Sequence, residues 1–265
     1  MINPVALLLT VSQTSLRTPF NMYVVALMCS NLEYACGSST LIIVADAYGT
    51  YWLGNFHCTV RPYFLYVVVP MIYHYHLLIT LNRAWALFGP IFYRARHNHA
   101  VAGILCGAVA VYAHVFMLPQ VILDHVYYRL PLEKGCRLNL ASQFVLTEFT
   151  SIWMFDVPCV VIYVAYPFLL GKLLYRRRTR PGTATAQHEA FNRSFTLLTL
   201  YTFSSLVCWL PSMCYYTILS NYPSVRMGPV VLQVTSTLYN LQPILDPLFF
   251  CLTFGNVRHC ALRLC

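Results

Sequence analysis

Charge is what this chain has least of. Only 9% of its 265 residues are Asp, Glu, Lys or Arg, and eight of them are acidic. A soluble domain carries about 25% charge. That gap, with 58% hydrophobic residues and a mean hydropathy of +0.60, identifies a membrane protein by composition alone. The shortage of acids also leaves little material for catalysis. No HExxH, no GxSxG and no phosphate-cradling glycine loop occurs, so no enzyme active site is legible. Eleven cysteines include no CxxC pair and no Cys/His metal spacing, and most read as small apolar side chains. His74 and His76, two apart on a helix, point to different faces and do not form a metal site. No metal and no cofactor is expected. Low-complexity linkers and internal repeats are absent too. The formal charge of +9 raises the question of nucleic acid, but the basic residues stand at the ends of apolar segments, which excludes that reading.

What is present is a succession of apolar stretches. The longest-reaching runs from Cys58 to Tyr93. The 25 steps from Cys58 to Arg83 span about 37 Å as a helix, more than the roughly 30 Å hydrocarbon core. The expected spans are 20–48, 57–86, 99–119, 144–175, 191–219 and 229–253, preceded by a partial one at 1–13. Thirteen residues give about 20 Å of helix, which is too short to cross. They are expected to be the inner half of a first helix whose outer half is missing, through an incomplete gene model or a real truncation. Residues 255–264 read as a short amphipathic helix on the membrane surface, with Cys260 and Cys265 as lipidation candidates. Residues 1–265 are thus expected to form a single all-α membrane domain.

Orientation follows from the positive charges. Twelve, among them Arg17, Arg83, Arg94, Arg96 and the Arg176–Arg178 run, fall on one side; five, Arg61, Arg129, Lys134, Arg137 and Arg226, fall on the other. The richer side is cytoplasmic. Cys58 and Cys136 then lie together outside, where a disulfide persists, and such a bond ties the longest polar loop to the top of the central helix.

Seven pieces now line up in order. They are Asn3 in the half-helix, LRTPFN, WLG before Cys58, NRAWALFGPIFY, Pro158 with Tyr166, CWLP at 208–211 and DPLFF at 246–250. In this order the chain resembles a rhodopsin-like (class A) G-protein-coupled receptor over nearly its whole length. The resemblance implies a seven-transmembrane helix bundle in the plasma membrane, an extracellular ligand and a heterotrimeric G protein as partner. It gives Arg83 the contact with the transducer and makes Ile91, after Pro90, an apolar knob that packs into it. The acid that normally restrains this arginine is Asn82 here, and Ala84 replaces the usual tyrosine. Tyr166 is expected to bond toward Arg83 in the active form, but its usual partner tyrosine is Phe250. Pro158, Pro211, Pro243 and Pro247 become hinges, with Trp209 as the lever at the floor of the ligand cavity.

Two exchanges sharpen the reading. Asn31 stands where the family carries a sodium-binding aspartate, and Asp246 where it carries asparagine. A lone intramembrane carboxylate needs partners: His76, seven residues before Arg83, is expected to donate to Asp246 with Gln242 nearby, in a polar cluster with Asn31. Ile72 replaces a serine ligand, which disfavours sodium. Leu65 stands where amine receptors carry their aspartate, so a peptide is favoured over an amine. The expected ligand-lining residues are Leu65, Tyr66, Val69, Trp209, Met213, Tyr216, Ser236 and Tyr239. Two other readings stay open: a degenerate receptor that folds but signals poorly, and a transporter. Against the transporter stand the lack of an inverted repeat and the scarcity of paired intramembrane charges.

Overall fold

The structure is a computed structural model that describes residues 2–12, 16–48, 54–130, 136, 138–179, 186–221 and 228–254. The amphipathic tail with Cys260 and Cys265 lies outside the described residues. Among the described residues every regular element is a helix. In chain order these are α1 Ile2–Ser12, α2 Pro19–Tyr34, α3 Thr40–Tyr48, α4 Gly54–Tyr63, α5 Val69–Phe88 and α6 Pro90–Arg96. They continue with α7 His99–Leu123, α8 Phe144–Ser151, α9 Val157–Thr179, α10 Ala186–Cys208, α11 Leu210–Asn221 and α12 Pro229–Thr253. Wider π turns at Ala35–Ser39, Phe64–Val68 and Ile152–Asp156 join α2 to α3, α4 to α5 and α8 to α9 into continuous rods. Among the described residues four helices, Gly54–Phe88, His99–Tyr128, Ala141–Arg176 and Asn192–Ile218, are each long and apolar enough to cross a membrane. The fold is that of an all-α seven-helix membrane bundle.

Local chemistry sets the helix ends. Thr18 caps α2, its hydroxyl accepting the Asn21 N–H at 3.2 Å, with Pro19 in the first turn where no N–H is needed. Asn98 caps α7 the same way, accepting from Val101 at 3.0 Å. Gly89 and Pro90 end α5 and turn the chain into α6. One difference from the sequence reading concerns Pro119. The helix was expected to stop there but continues through it to Leu123, because a proline removes only one backbone bond and neighbours can make that good in a membrane.

Two other prolines show how such a loss is made good. Pro62 has no N–H for the carbonyl of Cys58 four residues back, and the Arg129 guanidinium donates to that oxygen at 3.2 Å. Pro247 frees the carbonyl of Pro243, and the Asn3 amide donates to it at 3.1 Å.

The chain divides into two compact units. The first comprises Met1–Leu16, Thr80–Tyr93 and Ile162–Cys265. In it α12 packs against α10 and α1, over a core that includes Leu197, Leu198, Tyr201, Trp209 and Phe250. Ser212 of α11 donates to the Thr235 carbonyl of α12 at 2.9 Å. The second comprises Arg17–Ile79 and Arg94–Val161. Val67, Met117, Val121, Leu138 and Met154 form its core, rimmed by Tyr63, Tyr66, Tyr112, Phe116 and Phe155. Gln120 of α7 donates to Thr147 at 2.8 Å and accepts from Thr150 at 3.1 Å, clamping α8 to α7. Gly37 is required where the α2–α3 rod meets the α4–α5 rod, since a Cβ there runs into the Phe64 ring.

Candidate functional site

In the first unit the end of α5 carries Asn82 and Arg83, and the Gly89–Pro90 turn folds α6 back over them. Arg83 is buried, at 5% exposure, and so does not snorkel toward solvent. Its guanidinium donates to Asn82 Oδ1 at 2.7 Å and to Tyr93 Oη at 3.2 Å. Tyr93 in turn donates to the same Asn82 Oδ1 at 3.2 Å, closing a triangle. Burial pushes the Tyr93 phenol up, outweighing the Arg83 charge and the hydrogen bonds that draw it down, so the hydroxyl keeps its proton and donates. Trp85 holds the ring edge-on at 5.3 Å between centroids. Two neutral oxygens, those of Asn82 and Tyr93, thereby hold the Arg83 guanidinium.

Ile91, one residue past Pro90, is 80% exposed and presents an apolar side chain outward. Phe92 beside it is also exposed. Tyr166 sends its hydroxyl to Thr199 at 3.0 Å, with its ring stacked on Phe195. Phe250 is fully buried against Phe254.

A second polar knot lies deeper in the same unit. Asp246 is fully buried, and Gln242 one turn earlier donates to its Oδ1 at 2.7 Å and to Ser204 Oγ at 3.1 Å. Tyr201 donates to the Asp246 carbonyl at 3.2 Å. The donor to Asp246 here is Gln242, which the sequence reading placed only nearby, and Ser204 and Tyr201 were missed. Because the Gln242 amide serves both Asp246 and Ser204, Gln242→Ala is expected to destabilise the protein by about 1–3 kcal/mol. Thermal melting of the purified variant measures this; an unchanged midpoint contradicts it. Trp209 is buried, Met213 and Tyr239 are half-buried and Ser236 is exposed with its hydroxyl turned to its own helix at Gln233. Tyr216 is 58% exposed while its neighbour Tyr215 is buried, so Tyr215 is the tyrosine that α11 directs inward.

In the second unit Asn31 and His76 are both buried. Val69 is buried, and Leu65 and Tyr66 are half-buried in the π turn. His74 donates its Nδ1 proton to Pro70 O at 2.8 Å and stands edge-on to Tyr112. Cys58 and Cys136 are joined by a disulfide. Two arginines hold the strands of chain on either side of it. Arg61 donates to the Cys136 carbonyl, and Arg129 to the carbonyls of Asn55 and Cys58 and to Thr59 Oγ1. Arg129→Ala is expected to lower the melting midpoint, because it strips the donor from three acceptors, each hydrogen bond to a charged group contributing about 1.5–3 kcal/mol. Arg129→Lys, a point charge without the planar fork, recovers only part of the loss. Equal melting of the alanine variant and the wild type contradicts the role.

The features so placed are an arginine held at one helix end, a buried carboxylate between two prolines of the last helix, and a disulfide on the α4–α5 rod. Residues 2–250 match the family model described as 7 transmembrane receptor (rhodopsin family), and the chain belongs to that family. Among its relatives is the rhodopsin of Taurulus bubalis, 24% identical over 270 residues that cover 98% of this chain and 92% of that protein. The rhodopsin of Gambusia affinis is 23% identical over 272 residues, covering 98% and 75% respectively. That of Sargocentron spiniferum is 23% identical over 271 residues, covering 98% and 76%. The chain is accordingly a multi-pass membrane receptor that signals through a G protein, and it is not an enzyme.

Proposed function

We propose that the chain is a receptor for a non-covalent extracellular peptide, with an unusually weak resting brake on its G-protein coupling. In this reading the arginine-rich loops face the cytoplasm and the loop holding Cys136 faces outward. Arg83 contacts the transducer, Ile91 packs into it, and Tyr166 joins Arg83 when the helix carrying Trp209 and Pro211 swings. The observation that carries the proposal is the Arg83 triangle, in which Asn82 and Tyr93 stand in for the acid. Neutral acceptors hold a guanidinium less firmly than a carboxylate does, so the arginine is released more easily. Leu65 offers an amine no counter-charge, which favours a peptide. Lysine occurs only at 134 and 172, and Lys172 is an exposed residue of α9, which favours non-covalent binding.

The test uses membranes containing the chain, challenged with a peptide library and an amine library, with nucleotide exchange on added G proteins as the readout. Peptide-evoked exchange that Arg83→Ala abolishes at equal surface expression supports the proposal. A response to amines alone, or one indifferent to Arg83→Ala, contradicts it. Phe250 favours the second reading, a degenerate receptor, because the active form lacks a hydroxyl for Tyr166 to meet and Tyr166 is engaged by Thr199.

A further inference from the structure

Tyr166 of α9 is tied to the neighbouring helix. Its hydroxyl donates to Thr199 Oγ1 of α10 at 3.0 Å, and Thr199 donates its own proton to the Phe195 carbonyl one turn back, also at 3.0 Å. The Tyr166 ring lies stacked on the Phe195 ring, with 6.3 Å between centroids. Phe195 and Thr199 are four residues apart and so share one face of α10, and the tyrosine side chain spans that turn. Phe195 is buried and both hydroxyl-bearing residues are half-buried, which partly shelters the bond from water. Among the described residues Thr199 is the one hydrogen-bond partner of the Tyr166 hydroxyl. The hydroxyl therefore makes no bond to Arg83, although both residues belong to the first unit.

The next residue gives the tyrosine a way to leave. Pro167 stands inside α9, directly after Tyr166. Its ring removes the N–H that the Tyr163 carbonyl, four residues back, would accept, so α9 has a joint at the level of Tyr166. The hinge prolines read from the sequence did not include this one. Phe250, without a hydroxyl, offers the Tyr166 side chain no second acceptor. Thr199 on α10 and Arg83 at the end of α5 are then the two polar stations open to it.

We propose that Thr199 is a positioning residue of the coupling switch: it holds Tyr166 on α10 in the resting receptor, and that bond must break before the tyrosine can serve Arg83. Because Thr199 rides on α10, an outward swing of that helix with the bond intact draws the hydroxyl away from Arg83. The bond thus opposes the active form and carries part of the restraint that Asn82, standing in place of an acid, gives up. The proposal rests on the reading that Tyr166 meets Arg83 when the receptor is active.

Thr199→Val keeps the shape of the side chain and deletes the hydroxyl. It is expected to raise ligand-free nucleotide exchange, at matched surface expression, by about two- to twelvefold, the population change that one neutral hydrogen bond sets. Thr199→Ser restores the hydroxyl and stays near the wild type. In a Tyr166→Phe background, where the ring has no hydroxyl to hold, Thr199→Val changes nothing; a merely structural threonine gives the same change in both backgrounds. A second readout needs no G protein. Spin labels carried on unnatural amino acids at Leu174 of α9 and Arg193 of α10, both exposed, report the distance between the two helices in the purified receptor. Thr199→Val is expected to enlarge the longer-distance population, and Thr199→Ser to leave it as in the wild type. An unchanged distance distribution in Thr199→Val overturns the proposal, whether or not exchange responds. A longer distance with no rise in exchange upholds the restraint by Thr199 and overturns the separate reading that Tyr166 serves Arg83.

Discussion

Replacing Tyr93 by Phe raises ligand-free nucleotide exchange by roughly five- to thirtyfold. The hydroxyl does two things at once, accepting from Arg83 at 3.2 Å and donating to Asn82 at 3.2 Å. Its removal deletes both bonds and leaves the ring seated against Trp85, so the fold is kept. Each hydrogen bond contributes about 0.5–1.5 kcal/mol, with bonds to charged groups at or above the top of that range. A loss of about 1–2 kcal/mol from the resting state multiplies a small active population by about five to thirty. Asn82→Asp acts in the opposite direction, restoring a charge-assisted bond and lowering basal exchange by up to about tenfold. Exchange is measured without ligand and normalised to surface expression. A Tyr93→Phe variant at or below the wild-type rate contradicts the restraining role.

Cys58→Ser is expected to have the largest effect on stability. The disulfide closes a loop of 78 residues. In the chain-entropy account a loop of that length gives at most about 4.5 kcal/mol, and helices already inserted in a bilayer are less free than that account assumes. Arg61 and Arg129 add to the loss, because the carbonyls they hold are those of Cys136 and Cys58 themselves. Once the bond is gone, the two sides of the clamp separate. Surface expression of Cys58→Ser or Cys136→Ser is expected to fall to a small fraction of the wild type, and the double variant to behave like either single one. A double variant clearly worse than both singles contradicts the pairing, as does peptide mapping of non-reduced protein with both thiols free.

The parts of this molecule that were legible in the sequence are those fixed by composition and by short-range spacing. The scarcity of charge pointed to the membrane, and Asp246 stood out as a lone carboxylate in an apolar span with Gln242 nearby. Arg83 was placed by the NRA triplet before a Gly-Pro turn. What the sequence hid is where side chains go once the chain turns back. Tyr93 lies ten residues beyond Arg83, and only the sharp reversal at Gly89–Pro90 brings its hydroxyl to the guanidinium. Arg129 read as one more basic loop residue, yet the missing N–H of Pro62 creates the acceptor that it fills. Ser204 and Tyr201 carried a signal, two polar groups one turn apart on the helix opposite Asp246, but nothing in the sequence aligns α10 with α12 at that depth.

The most direct measurement is ligand-free nucleotide exchange by the wild type, Asn82→Asp and Phe250→Tyr, on a panel of G proteins at matched surface expression. If Arg83 is held by neutral partners and released easily, the wild type stands above background. Asn82→Asp then falls toward it, and Phe250→Tyr rises further by returning a hydroxyl for Tyr166. A wild type at background that Phe250→Tyr does not lift contradicts the account and leaves a receptor that folds without signalling.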